Sequence, residues 1–266
     1  MNPPMVETIR AKIEAVHRRK HVVLSDGTRK QITGAVRTDE AARMAALILE
    51  RQCRSTLETG VAFGVSTLAI CLALDAVNAD TIHYGVDPEQ WSVHQGAAVA
   101  LHDEHGIQTP LRILEGCSHE VLPALLKEGV QLDFAFIDGC HTFDYAMVDF
   151  FYIDKMLRVG GVVVFDDLYY PGIRKVCRYI LTNLPYSVFQ RLAPDASHKV
   201  TLKRWLALNL PVFSKEVRRI AKPEILEPDH KLGLRDPGYV GLRKEKEDVI
   251  GDGSNGTRRF DHHHEF

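Results

Sequence analysis

The strongest constraint on this chain is an alternation of two periodicities between Ser55 and Phe165. Short apolar runs bounded by turn residues stand at Ser55–Thr59, Thr81–Val86, Leu111–Glu115, Leu132–Ile137 and Gly161–Phe165. Stretches with helical spacing separate them: Val65–Val77, Gln90–Glu104, His119–Lys127 and Phe143–Leu157. Strands joined through helices pair in parallel, and their near-continuous apolar character calls for cover on both faces. Right-handed crossovers then make the expected architecture an α/β, doubly wound, mostly parallel sheet with helices on both faces. Upstream, Val6–Lys20 and Thr38–Arg51 read as amphipathic helices, the second with Thr38 as N-cap.

Beyond Pro171 the rhythm changes. Ile173–Leu184 reads as a helix, and Tyr186–Arg191 and Lys199–Leu208 as strands joined by the turn Ala193-Pro194-Asp195-Ala196-Ser197. So short a connection makes an antiparallel C-terminal hairpin and completes an expected seven-stranded sheet. From Lys215 charge, Gly and Pro dominate, and this stretch is expected to wrap the surface or lack order, particularly after Gly241. The chain thus divides into an N-terminal helical segment on the substrate side (1–54), a catalytic domain (55–210) and a charged C-terminal extension (211–266). His262, His263 and His264 lie far from every motif.

Composition excludes several classes. Lys and Arg number 33 against 35 Asp and Glu, a formal charge of −2, so nothing marks a nucleic-acid partner. With 45% hydrophobic and 26% charged residues the chain is neither disordered nor collagen-like. No apolar run approaches the ~18 residues of a membrane span, and Met1-Asn2-Pro3-Pro4-Met5 does not open a signal peptide, so a cytoplasmic location without membrane contact is expected. Cys53, Cys71, Cys117, Cys140 and Cys177 form no C-x-x-C pair and read as reduced thiols. A homo-oligomer is open, with the first helix and the charged tail as candidate interfaces.

In an open parallel sheet ligands bind beyond the carboxyl ends of the strands. After the first strand stands Glu58-Thr-Gly60-Val-Ala-Phe-Gly64-Val-Ser66, where Gly60 lets a ligand approach the backbone and Ser66 opens a helix whose free N–H groups favour an anion. It is not a G-x-G-x-x-G turn. Asp87, ending the second strand, is placed either to accept ribose hydroxyls or to cap the segment from Pro88; Trp91 is a candidate wall for an adenine. Asp138 ends the fourth strand and Asp166-Asp167 the fifth, so neighbouring strands, about 4.8 Å apart, bring three carboxylates together. Such a cluster is relieved by Mg²⁺ or another hard divalent cation; solvated strand ends are the alternative. His141, three residues after Asp138, is either a general base or a partly exposed surface histidine. Tyr169 and Tyr170 are either an aromatic wall or packing residues.

These residues resemble the class I S-adenosylmethionine-dependent O-methyltransferases. The likeness runs from about Thr38 to Gly172: the Glu58–Ser66 segment resembles the cofactor turn of the caffeoyl-CoA and catechol enzymes, and Gly116-Cys117-Ser118 matches their adenine-side turn. The Ile137-Asp138-Gly-Cys-His141 and Phe165-Asp166-Asp167 pattern is closer to the bacterial branch that methylates antibiotic sugars, of the macrocin and mycinamicin type. The resemblance implies a Rossmann-like methyltransferase fold and S-adenosyl-L-methionine held by Glu58, Gly60, Ser66, Asp87, Ser118 and Asp138. It also implies a divalent ion on Asp138, Asp166 and Asp167. His141 or Asp166 would then be the base acting on a hydroxyl of a small-molecule acceptor, a sugar diol or catechol-like compound. The alternative it leaves is a metal-independent O- or N-methyltransferase.

Overall fold

In the computed structural model the described residues are 3–77, 79–191, 229, 231–234 and 238–247. The elements run α1 Pro3–Arg19, β1 His21–Val23, β2 Arg29–Gln31, α2 Thr38–Arg51, β3 Ser55–Thr59, α3 Val65–Val77, β4 Ile82–Val86, α4 Ala97–Glu104 and β5 Leu111–Leu114. They continue with α5 Ser118–Lys127, β6 Leu132–Ile137, α6 Phe143–Met156, β7 Leu157–Phe165, α7 Pro171–Asn183, β8 Tyr186–Arg191 and β9 Val240–Lys244. β1 and β2 form a small antiparallel ribbon; the other seven strands make one sheet in the order β5-β4-β3-β6-β7-β9-β8. The five strands β3 to β7 are parallel, and β9 runs antiparallel to both β7 and β8. From β3 the chain moves outward to β4 and β5, then returns to build β6 and β7 on the other side. Strand order therefore reverses between β3 and β6, where an open sheet leaves a crevice.

Period-two alternation along the central strands splits the core. Phe134, Phe136, Val162 and Val164 pack under α1 to α4, whereas Ala135, Ile137, Val163 and Phe165 pack under α5 to α7. α3 is buried over every residue from Val65 to Leu74, because it lies between the sheet and the N-terminal helices. Among the described residues no helix is long and apolar enough to cross a membrane. All five cysteines are free, and Cys53, Cys71 and Cys177 are buried.

Three expectations are corrected. α2 is capped one residue early: Arg37 has the extended backbone of the N-cap, and its N–H donates to the Glu40 carboxylate at 3.1 Å, so Thr38 is already helical. The helix expected over Gln90–Glu104 begins only at Ala97, after Gly96 at φ +74°. The amide of buried Gln90 explains this, since Nε2 donates to Ala62 O (2.8 Å) and Oε1 accepts from Ala98 N (3.2 Å), which holds the preceding turns out of the helix.

The third correction concerns the C-terminal stretch. Val240–Lys244 does not wrap the surface; it inserts between β7 and β8 and is the antiparallel partner of both. Lys199–Leu208, expected to pair with Tyr186–Arg191, lies outside the described residues, as does the His262–His264 tail. Val240 and Leu242 supply the apolar alternation, while Lys244, 2% exposed, is tolerated because its ammonium is fully engaged. It donates to Asp154 O (2.8 Å) and Leu157 O (3.0 Å) and faces Glu247 Oε2 at 2.8 Å and Asp154 Oδ1 at 3.6 Å. The Tyr186 hydroxyl donates to the same Asp154 oxygen at 2.7 Å. Removing one partner of a buried charge cluster strands the rest. Lys244→Met is expected to destabilise the chain by about 3 kcal/mol, read as a lowered midpoint in urea unfolding; an unchanged midpoint contradicts this account of the β9 insertion.

Candidate active site

β3 runs into Gly60, which takes φ +86° where a Cβ would fall 2.0 Å from the backbone oxygen of Asp138. The Gly60 N–H donates to Val86 O at 2.9 Å and the Asp138 N–H to Thr59 O at 2.9 Å, so the tips of β3, β4 and β6 are tied together. Gly64, at φ +80°, sits against Ala98, where a Cβ would meet its Cα at 2.4 Å. Both positions need glycine for space as well as for angle.

Glu58 does not face the crevice. It is fully buried under the turn and accepts hydrogen bonds from the Ser66 hydroxyl and from Thr67 Oγ1 (2.6 Å), with His83 Nε2 at 3.3 Å. His83 in turn meets Thr56 Oγ1 at 2.8 Å. The carboxylate fixes the entry to α3 from beneath the turn and is not among the residues that line the cavity. Ser66 lies in a small recess beside Gly60 and Asp138, with its hydroxyl proton directed at Glu58 and its lone pairs left for a donor.

A cavity of about 730 Å³ opens over this crevice. Such a volume suits a small molecule or cofactor. Asp87 lines it, its oxygens accepting the N–H groups of Ala62 and Glu89, each at 2.7 Å. The acid therefore both orders the turn after β4 and turns its remaining lone pairs to the cavity. Cys117 and Ser118, at the start of α5, line it as well. Trp91 is half exposed and packs across Gly96, outside the lining.

The acids that end β6 and β7 line the same cavity. The Asp166 N–H donates to Ile137 O (3.0 Å) and the Asp167 N–H to Asp166 Oδ1 (2.7 Å). Asp167 adopts φ +58°, a strained angle for a residue with a side chain. Its Oδ2 lies 2.6 Å from His141 Nε2, which is also 3.8 Å from Asp138 Oδ1. The imidazole is stacked on Tyr170, centroids 4.8 Å apart and planes within 6°. One ligand atom from each of Asp138, His141 and Asp167 lies within 4.8 Å of the others. That spacing fits donors around a single cation at 2.0–2.6 Å. Asp166 lines the same cavity but is outside this trio, one of its oxygens accepting its neighbour's N–H. The side chains that converge are thus two carboxylates and an imidazole, beside the three carboxylates expected from sequence.

Burial pushes the carboxyl groups of Asp138 and Asp166 up, to about 6 and about 8; the charge of Asp138 adds to the rise at Asp166. His141 is raised, first by its interaction with Asp138 and then by the charge of Asp167. Glu40, which nothing in the sequence singles out, also lines the cavity; its carboxylate pairs with Arg37 at 2.7 Å and its carbonyl accepts the buried Tyr239 hydroxyl at 3.0 Å. Only the folded chain brings Tyr239 to it.

Residues 57–168 match the family model described as a methyltransferase domain. A flavonoid 3',5'-methyltransferase of Vitis vinifera is 28% identical over 142 residues, 52% of this chain and 57% of that protein, so the match spans little more than half of that relative. Among solved structures, the O-methyltransferase TomG from Streptomyces achromogenes, involved in tomaymycin synthesis and bound to SAM, superposes with TM-score 0.54 at 21% identity, over 68% of this chain and 81% of its own. An O-methyltransferase from Bacillus cereus in complex with SAH gives 0.53 at 16% identity, over 70% and 82%. The fold is the Rossmann-like methyltransferase fold. Within it, the stretch that matches the methyltransferase domain model runs from inside β3 to the loop after β7.

The acid shifts have a consequence for stability. Each carboxyl is raised above its unfolded value, so its contribution is complete below about pH 4 and is lost as pH climbs through the native pKa. His141 acts in the same direction, its contribution present below about pH 6.5 and lost above its raised pKa. In chelator the chain is expected to lose thermal stability between about pH 5 and pH 9, and Asp166→Asn to gain about 1–3 kcal/mol at pH 8. Unfolding curves across that range check this; a flat wild-type profile contradicts it.

Proposed function

We propose that this chain is an S-adenosylmethionine-dependent O-methyltransferase acting on a hydroxyl of a small molecule, a sugar diol or catechol-like acceptor, with a divalent cation in the site. The observation that carries the reading is the meeting of Asp138, His141 and Asp167 at one end of the cavity whose floor is the Gly60 turn. The O-methyltransferases among the similar structures and the grapevine methyltransferase support it.

The residues fit the cofactor. Gly60 leaves its backbone bare, and Ser66 would hold the amino-acid end with its free lone pairs. Asp87 would take the ribose and Ser118 the adenine side. When bound, the cofactor supplies an electrophilic methyl group on a sulfonium. Asp138 and Asp167, with His141, would hold the cation. This mixed oxygen and nitrogen set suits Mn²⁺ at least as well as Mg²⁺. When bound, the ion lowers the pKa of an acceptor hydroxyl and fixes its direction.

The chain's own groups do the remaining work. Asp166, outside the trio and disposed by burial to take up a proton, accepts it from the acceptor hydroxyl. Tyr169, half exposed beside Asp167, and Tyr145 flank the mouth, where a ring can lie against them. The protein's own part would thus be to position the acceptor oxygen for the methyl group and to exclude water from it.

A metal-independent reading has one observation in its favour. His141 Nε2 at 2.6 Å from Asp167 forms an imidazole–carboxylate pair able to act as a base unaided. Methyl transfer to a panel of catechols and sugar diols, with EDTA and after restoring Mg²⁺ or Mn²⁺, separates the two. The cation reading expects a loss of about 100-fold in EDTA that either ion reverses, and a cation-induced stabilisation of about 3 kcal/mol at saturation that Asp167→Asn abolishes. Full turnover in EDTA combined with inactivity of His141→Ala establishes the metal-independent route instead.

A further inference from the structure

Asp149, in the middle of α6, is a buried acid that none of the steps above uses. It is 2% exposed, and its Oδ2 accepts the Thr59 hydroxyl at 2.7 Å. Its Oδ1 is buried with no hydrogen-bond partner. The same carboxylate lies under Gly139, where a Cβ would come within 3.4 Å of Oδ2. Burial pushes the Asp149 carboxyl up, and the neighbouring hydroxyls of Ser118 and Thr59 pull it back towards the ionised form. Thr59, Ser118 and Gly139 all line the cavity, so Asp149 sits directly beneath its wall on the α5 side. A buried carboxylate oxygen without a donor requires an explanation.

We propose that Asp149 is a positioning residue that sets the hydrogen-bond polarity at the nucleobase end of the cavity, so that the site takes a base bearing an exocyclic amine over one bearing a carbonyl. The inference rests on the cofactor reading above. An ionised carboxylate only accepts hydrogen bonds, so a hydroxyl beside it directs its single proton inward. Thr59 already does this towards Oδ2. Ser118, turning its proton towards the Asp149 carboxylate as Thr59 does, would show the cavity only lone pairs. Those lone pairs accept from the amine of adenine and repel the carbonyl oxygen of hypoxanthine. An asparagine at 149 removes the imposed direction, because its amide can donate to Ser118 and release the hydroxyl proton towards the cavity.

Calorimetric binding of S-adenosylhomocysteine and of its inosyl counterpart, in which a carbonyl replaces the exocyclic amine, tests this on the full chain. The wild type is expected to prefer the adenosyl ligand by at least about tenfold. Asp149→Asn is expected to bring the two affinities within about threefold, by weakening the adenosyl ligand and strengthening the inosyl one. A merely structural brace between α6 and β3 would weaken both ligands equally, so an unchanged ratio in Asp149→Asn overturns the proposal while leaving the cofactor reading intact. Should that variant fail to fold, Ser118→Ala decides: loss of the preference supports the relay, and its retention overturns it. A wild type that binds neither ligand overturns both readings together.

Discussion

The site depends on one close approach. The missing side chain of Gly60 lets β3 pass against the carbonyl of Asp138 at the end of β6, a distance that no other residue permits. This contact lies where strand order reverses, so the turn after β3 and the acids after β6 and β7 share one crevice. Moving the two strand tips apart by a methyl group would separate the floor of the cavity from its acidic end. Packing at a single atom therefore governs whether two chemical functions can act on the same ligand.

Around that contact the fold places charge where charge is costly. Asp138 and Asp166 are held with raised proton affinity, and Asp167 is held in a left-handed conformation, both unfavourable to an isolated chain. Other buried acids are instead satisfied from within: Glu58 by Ser66, Thr67 and His83, and Asp154 by Tyr186 and Lys244. This contrast separates structural carboxylates from those that await a partner. Asp149 stands between the two groups, with one oxygen satisfied and the other bare.

Most of the parallel sheet was legible because its strands are short apolar runs separated by helices, a pattern that local sequence carries. The glycine turn and the strand-end acids were legible for the same reason, since they sit at fixed offsets from those runs. The burial of Glu58 was not legible, because a residue one position before a strand end points into the core as readily as outward, and only its neighbours Ser66, Thr67 and His83 show which. The convergence of His141 with Asp138 and Asp167 accompanies the positive φ of Asp167 and the N–H that residue directs at Asp166. Neither is written in residue spacing. The start of α4 was misjudged because Gln90 reaches back to Ala62, a contact 28 residues away.

By itself the sequence determined the alternation of strands and helices, and with it the edge of the sheet on which a ligand must lie, because hydrophobic periodicity is a local property. Tertiary structure alone decided that Val240–Lys244 enters between β7 and β8, and which acids face the cavity. Both are settled by long-range pairing, in which a lysine becomes a buried strand residue once carbonyls and carboxylates from α6, β7 and the chain just after β9 surround its charge.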